Sequence, residues 1–141
     1  MNSKIIYSRL NKMKESLELI PYTKGECRLM AMILDKYGVP LSIGYNSYRK
    51  TNPIMKSFKN ISFKDPTING DCVEYLHAEM DAMNKGRLQI RKWDTLIVAR
   101  VDSKGNLKLA KPCNGCASNI KDKFNNVYYT NDKGELVLFN E

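Results

Sequence analysis

The chain has 141 residues, of which 43% are hydrophobic and 27% charged, with a net charge of +8 and a pI of about 9.3. That is the size and balance of one compact domain over residues 1–141, and it excludes a disordered or collagen-like chain. No apolar run approaches the roughly 18 residues needed to span a membrane, and the N-terminus lacks the long apolar stretch of a secretory signal, so a cytoplasmic protein with no membrane partner is expected.

In chain order, Ser3 can cap a first helix running to about Ile20. Ile5, Ile6, Leu10, Met13, Leu17 and Ile20 form one apolar stripe along it, and Pro21 ends it. Residues 28–34 and 41–46 are apolar-rich runs around Asp35-Lys36-Tyr37-Gly38, the pattern of a β-hairpin. Residues 48–69, with Pro53 and Pro66 among many polar side chains, read as a long loop, of a length that is usually functional or disordered. A helix should open near Leu76 or His77 and end at Gly86. Residues 95–101 read as a buried strand, followed by a turn at Asp102-Ser103-Lys104-Gly105.

Residues 107–110 lead into Pro112, and 113–124 suit a helix with proline just before its start. Residues 126–130 and 135–139 are two further strands across Asn131-Asp132-Lys133-Gly134. The segment joining them is too short for a crossover, so they should form an antiparallel hairpin. The order α-β-β-α-β-α-β-β implies an α/β fold, with helices on both faces of a mixed sheet.

Two segments carry chemistry: His77-Ala78-Glu79 and Pro112-Cys113-Asn114-Gly115-Cys116. Catalytic zinc takes three nitrogen or sulfur ligands from protein and keeps a fourth position for water, whose pKa it brings toward neutrality. The one histidine of the chain and two of its four cysteines meet that count. Cys113 and Cys116 would share one face of a helix start, where the positive end of the helix favours thiolates. Glu79, two residues beyond His77, suits a proton carrier better than a fourth ligand, which would close the site.

An H-x-E followed by P-C-x-x-C is the pattern of the zinc deaminases, and on these residues the chain resembles the cytidine and deoxycytidylate deaminase superfamily. The resemblance implies a three-layer α-β-α sandwich with a five-stranded mixed sheet ending in a β-hairpin. It implies one catalytic Zn2+ held by His77, Cys113 and Cys116, with Glu79 as the proton shuttle and the Ala78 amide holding the pyrimidine carbonyl. Asn46 is placed where members of the superfamily bond the ribose, although it could equally close a strand end. Arg49 and Lys50 could meet a phosphate or form a solvated pair.

A hairpin ending resembles the cytidine deaminases and several bacterial toxin deaminases, whereas deoxycytidylate deaminases proper carry a helix there. Two substrate classes follow: a free cytosine nucleoside or nucleotide, or cytosine in single-stranded DNA or RNA. The net charge favours the second, and the lack of clustered basic and aromatic segments favours the first. A non-catalytic zinc-stabilised interaction module is a third reading, against which Glu79 speaks. By the same resemblance a homo-oligomer is expected. Cys27 and Cys72 read as core or surface thiols, and Trp93 as a packing residue. Strand alternation should turn only one of Tyr128 and Tyr129 to the core.

Overall fold

The computed structural model describes residues 2–46, 77–86, 93–112, 120 and 123–139. Helix α1 spans Ser3–Glu18. Its cap is Asn2 and not Ser3: the Asn2 carboxamide oxygen accepts the Ile5 N–H at 3.0 Å, and Ser3 is drawn into the first turn. Ile6, Leu10, Met13 and Leu17 form the buried stripe that the spacing predicts.

Among the described residues six strands make one sheet: β1 (Arg28–Leu34), β2 (Pro40–Tyr45), β3 (Thr95–Val101), β4 (Leu107–Lys108), β5 (Asn126–Thr130) and β6 (Leu136–Leu138). Helix α2, Ala78–Gly86, lies in the chain between β2 and β3. The spatial order is β2-β1-β3-β5-β6, with β4 paired to the end of β3. The β3–β5 pair is parallel and the other pairs are antiparallel, so the sheet is mixed as expected. The C-terminal hairpin is present, with Tyr129 opposite Val137. Short β4, which the sequence reading passes over, raises the expected five strands to six.

Each face of the sheet carries its own apolar layer. Met30, Met32 and Leu34 of β1 join Ile97, Ala99 and Val101 of β3 beneath α1. Their alternating neighbours Ala31, Ile33, Leu96 and Val98 pack with Ala78, Met80, Ala82 and Met83 of α2. Burial on both faces is why β1 and β3 read as unbroken apolar runs. It also corrects the expectation for the paired tyrosines. Tyr128 packs on the α1 layer and Tyr129 on the α2 layer, where its ring meets Phe139 edge-on at 6.1 Å.

One turn design closes all three hairpins. Asp35, Asp102 and Asn131 each accept two main-chain N–H bonds through the side-chain oxygen, from the residues two and four positions ahead. The fourth residue is Gly38, Gly105 or Gly134, with φ between 77° and 84° in the left-handed region that glycine enters without strain. At Asp102 the N–H of Asn106 is the main cause holding the carboxyl below its ordinary pKa, helped by the Lys104 N–H and the charge of Lys108.

Arg28 opens β1 and is buried, 8% exposed. Its guanidinium donates to the carbonyls of Leu17 and Ile20, at 3.4 and 2.9 Å, and to that of Asp102. It therefore ties the C-terminal end of α1, where cations are favoured, to the β3–β4 turn. Arg28→Met keeps the apolar stem but strands those carbonyls. It is expected to lower stability by about 2 kcal/mol, read as a lower urea midpoint with an unchanged slope. An unchanged midpoint would show the tie to be dispensable.

Candidate active site

Helix α2 begins at the motif. Asp81 N–H bonds the His77 carbonyl at 2.9 Å, so His77 stands at the cap position and Ala78 is the first helical residue. The Ala78 N–H then has no acceptor within its own helix, which is the property a donor to a pyrimidine carbonyl needs. His77 and Glu79 are 6% and 4% exposed. Two ionisable side chains are thus withdrawn from water on one turn, at the helix end where negative charge is favoured.

What brings this turn to the sheet is a ridge of small residues. Ala78, Ala82 and Gly86 recur every fourth position; the first two face β2, and Gly86 lies against Ser42 of β2, Ile33 of β1 and Trp93. The main chain at Gly44 comes so close that a Cβ there would overlap the Ala78 carbonyl oxygen and the Ala82 nitrogen, and would lie 2.9 Å from the Ala82 Cα. A Cβ on Gly86 would press on Ser42 at 3.3 Å and on Trp93 at 3.4 Å. The small side chain at Ala78 therefore has a packing reason of its own. Ser42 Oγ donates to the Ala82 carbonyl at 2.7 Å, and Asp81 Oδ2 accepts the Tyr45 N–H at 3.0 Å. Neither Ser42 nor Asp81 stands out in the sequence reading, and Gly44 does so only as the neighbour of Tyr45-Asn46. The spacing of small residues in α2 is the one sign of a close neighbour, and it does not say which strand that is.

Asn46 follows directly on β2, and its carboxamide is engaged with the main chain. Oδ1 accepts the Leu29 N–H at 3.0 Å and Nδ2 donates to the Cys27 carbonyl at 2.8 Å, extending the β1–β2 ladder by one step. A carboxamide offers two N–H groups and two lone pairs, of which these bonds use one each. Cys27 is half-buried, and its sulfur accepts from Arg100 Nη1 at 3.7 Å.

The second half of the motif is approached by a pinned segment. Thr130 Oγ1 donates to the Lys108 carbonyl at 2.6 Å, Ala110 N–H to the Thr130 carbonyl at 2.8 Å, and Arg100 Nε to the Leu109 carbonyl at 2.7 Å. Pro112 is buried. Ala110 and Ile120, which flank the cysteine pair in the chain, belong to the same apolar layer as Ala78 and Met80. The described residues on either side of the cysteine pair thus share the layer on which His77-Ala78-Glu79 opens its helix. Cys113 and Cys116 lie outside the described residues, as do Arg49, Lys50, Cys72, the expected loop at 48–69 and most of the expected helix at 113–124. Among the described residues no three His, Cys, Asp or Glu side chains cluster as a metal site. Trp93 is a packing residue as expected, stacked on Phe124 with 5.4 Å between ring centroids. No described helix is long and apolar enough to cross a membrane.

No family model and no curated protein matches the sequence. Solved structures do match the fold. A cytidine deaminase from Burkholderia pseudomallei superposes with a TM-score of 0.60 over 99% of this chain and 92% of its own, at 12% identity. A dCMP deaminase from the cyanophage S-TIM5, in complex with dCMP and dUMP, gives 0.56 over 94% and 85%, at 18% identity. A cytidine deaminase from Mycobacterium leprae gives 0.52 over 92% and 88%, at 11% identity. With helices on both faces of a mixed sheet and a buried His77-Ala78-Glu79 opening the helix beside β2, the chain has the cytidine deaminase-like fold.

Proposed function

We propose that residues 1–141 form a single zinc-dependent deaminase domain that hydrolyses a cytosine base to uracil in a free nucleoside or nucleotide such as cytidine or dCMP. The observation that carries this reading is the buried pair His77 and Glu79 at the start of α2, on the layer that also receives Ala110 and Ile120 from either side of Cys113 and Cys116. The donor set fits zinc: one imidazole and two thiols, with a carboxylate close by that is not needed as a ligand. His77, Cys113 and Cys116 would hold the ion, and when bound it supplies the Lewis acidity that makes water a nucleophile near neutral pH.

The remaining work falls to side chains and main chain of this chain. Glu79 takes one proton from the attacking water and gives it to the ring nitrogen beside the reacting carbon, then carries the remaining hydroxyl proton to the leaving amine, so that cytosine and water become uracil and ammonia. The Ala78 N–H donates to the pyrimidine carbonyl and fixes which ring carbon faces Glu79. Asn46 contributes its remaining N–H to the sugar, and Arg49 or Lys50 meets a phosphate if one is present. Withdrawal of His77 and Glu79 from water strengthens each of these contacts.

The net charge of +8 favours a second substrate class, cytosine within single-stranded DNA or RNA. A substrate panel tests both. Zinc-loaded protein is offered cytidine, deoxycytidine, their monophosphates and cytosine-containing single strands, with released ammonia as the readout. Turnover of the monomeric substrates is expected, and removal of zinc with a chelator should end it. Turnover of polymers alone would overturn the leading reading in favour of the second, and zinc binding without any turnover would leave an interaction module. The enzyme is proposed to work in the cytoplasm as a homo-oligomer, which sedimentation of the zinc-loaded protein would show.

A further inference from the structure

Opposed residues of an antiparallel pair alternate between those that exchange hydrogen bonds and those that do not. Asn46 N–H bonds the Leu29 carbonyl at 3.3 Å. Tyr45 and Ile43 therefore belong to the second kind and turn their main-chain groups away from β1. Among the described strands β2 is an edge, so those groups face outward where another strand could add.

Helix α2 fills the edge instead. Asp81 Oδ2 accepts the Tyr45 N–H at 3.0 Å, Lys85 Nζ lies 3.5 Å from the Ile43 carbonyl oxygen, and Asp81 and Lys85 are joined at 2.7 Å. One ion pair, spaced by a single helical turn, thus stands where a neighbouring strand would put its acceptor and its donor. Asp81 is 7% exposed, whereas the Lys85 side chain is 54% exposed. The charge attraction is therefore weak, and the bond from the Tyr45 amide to a buried carboxylate is the strong element.

The ridge of Ala78, Ala82 and Gly86 gives this bond its importance. Small residues let the helix come close, but they offer few knobs to stop it from sliding along β2. Register along the strand is then set by polar ties, among them those of Ser42 to Ala82 and of Asp81 to Tyr45. The second lies two residues from Glu79 and one from Asn46.

We propose that Asp81 is a positioning residue for deamination: its bond to the Tyr45 amide sets the place of α2 along β2, and with it the distance from Asn46 to the turn carrying His77 and Glu79. The proposal rests on the deaminase reading above. A shift of about 1 Å in such a frame can lower turnover about a hundredfold.

The test compares wild type, D81A, D81N and K85A by deamination kinetics and by hydrogen exchange of the Tyr45 amide. D81A is expected to lose between about tenfold and a hundredfold in kcat, with fast exchange at Tyr45 and undisturbed amides in β1 and β3. D81N keeps an acceptor oxygen and should restore both turnover and protection; K85A should change little. Full kcat in D81A, Tyr45 exchange in D81A equal to wild type, or D81N as impaired as D81A would each overturn the proposal. A wild-type chain inert toward every cytosine substrate would overturn the deaminase reading and the catalytic part of this one. It is told apart from a failed clamp by the Tyr45 amide, which would still be protected in wild type and exchange freely in D81A.

Discussion

Glu79→Gln is expected to abolish deamination, by about a thousandfold or more in kcat, while the metal stays bound. The two side chains have the same shape and both hydrogen-bond, but the amide cannot accept a proton from water or return one to the ring nitrogen. Glu79 is almost fully buried in the first turn of α2, so bulk water cannot readily take over the transfer. Metal content should be unchanged, because the proposed ligands are His77, Cys113 and Cys116. The measurement is a paired one: ammonia release, and zinc per chain by elemental analysis. If the glutamine variant turned over normally, proton transfer by this residue would be wrong. If zinc left with the carboxylate, Glu79 would be a ligand and the site a closed one.

Gly44→Ala is expected to have the largest effect on the fold. The added methyl would overlap the Ala78 carbonyl oxygen and the Ala82 nitrogen, and both are main-chain atoms that cannot rotate aside. The helix has to lift from the sheet, loosening the Ser42 and Asp81 bonds together. A loss of about 3 kcal/mol is expected, seen as a lower urea midpoint. Turnover should fall further than stability accounts for, since His77 and Glu79 ride on the lifted turn. Ala82→Gly in the same background removes the neighbouring methyl but not the main-chain overlap, so it should fail to rescue. An alanine variant with wild-type stability would mean that the layers are not in such close contact.

Much of this architecture was legible before the structure. The stripe from Ile6 to Leu17 follows from periodicity, and the burial of residues 95–101 from an almost unbroken apolar run. The final hairpin is legible too, because a segment that short leaves no room for a crossover. The misses are physical ones. Ser3 and Asn2 are both good caps, and adjacent candidates cannot be ranked without the local geometry. Strand β4 has two residues, too few to show alternation, although Asp102-Ser103-Lys104-Gly105 repeats the spelling of the other two turns and so announces a hairpin. Arg28 reads as a strand residue because its partners, the carbonyls of Leu17, Ile20 and Asp102, belong to distant main chain.

For the site, residue type and spacing point to His77, Glu79, Cys113 and Cys116, since the chemistry itself demands that set. They do not reveal the frame around it. Gly44, Ser42 and Asp81 matter only once β2 and α2 are placed side by side, which is a matter of register and not of composition. Asn46 illustrates the same limit: its role in closing the ladder with Leu29 and Cys27 depends on pairing that one segment cannot show.

The contact between Gly44 and Ala78 has one more consequence, for how such a chain can change over time. Asn46 and His77, the described residues on either side of residues 47–76, adjoin β2 and α2 where these two elements touch. Closing an excursion between two neighbouring points depends only logarithmically on its length; doubling these thirty residues would cost about 0.6 kcal/mol. The length of chain between Asn46 and His77 is thus a small term in stability, and both of these residues belong to the proposed active site. By that measure a longer connection between Asn46 and His77 costs folding less than a single methyl group added at Gly44.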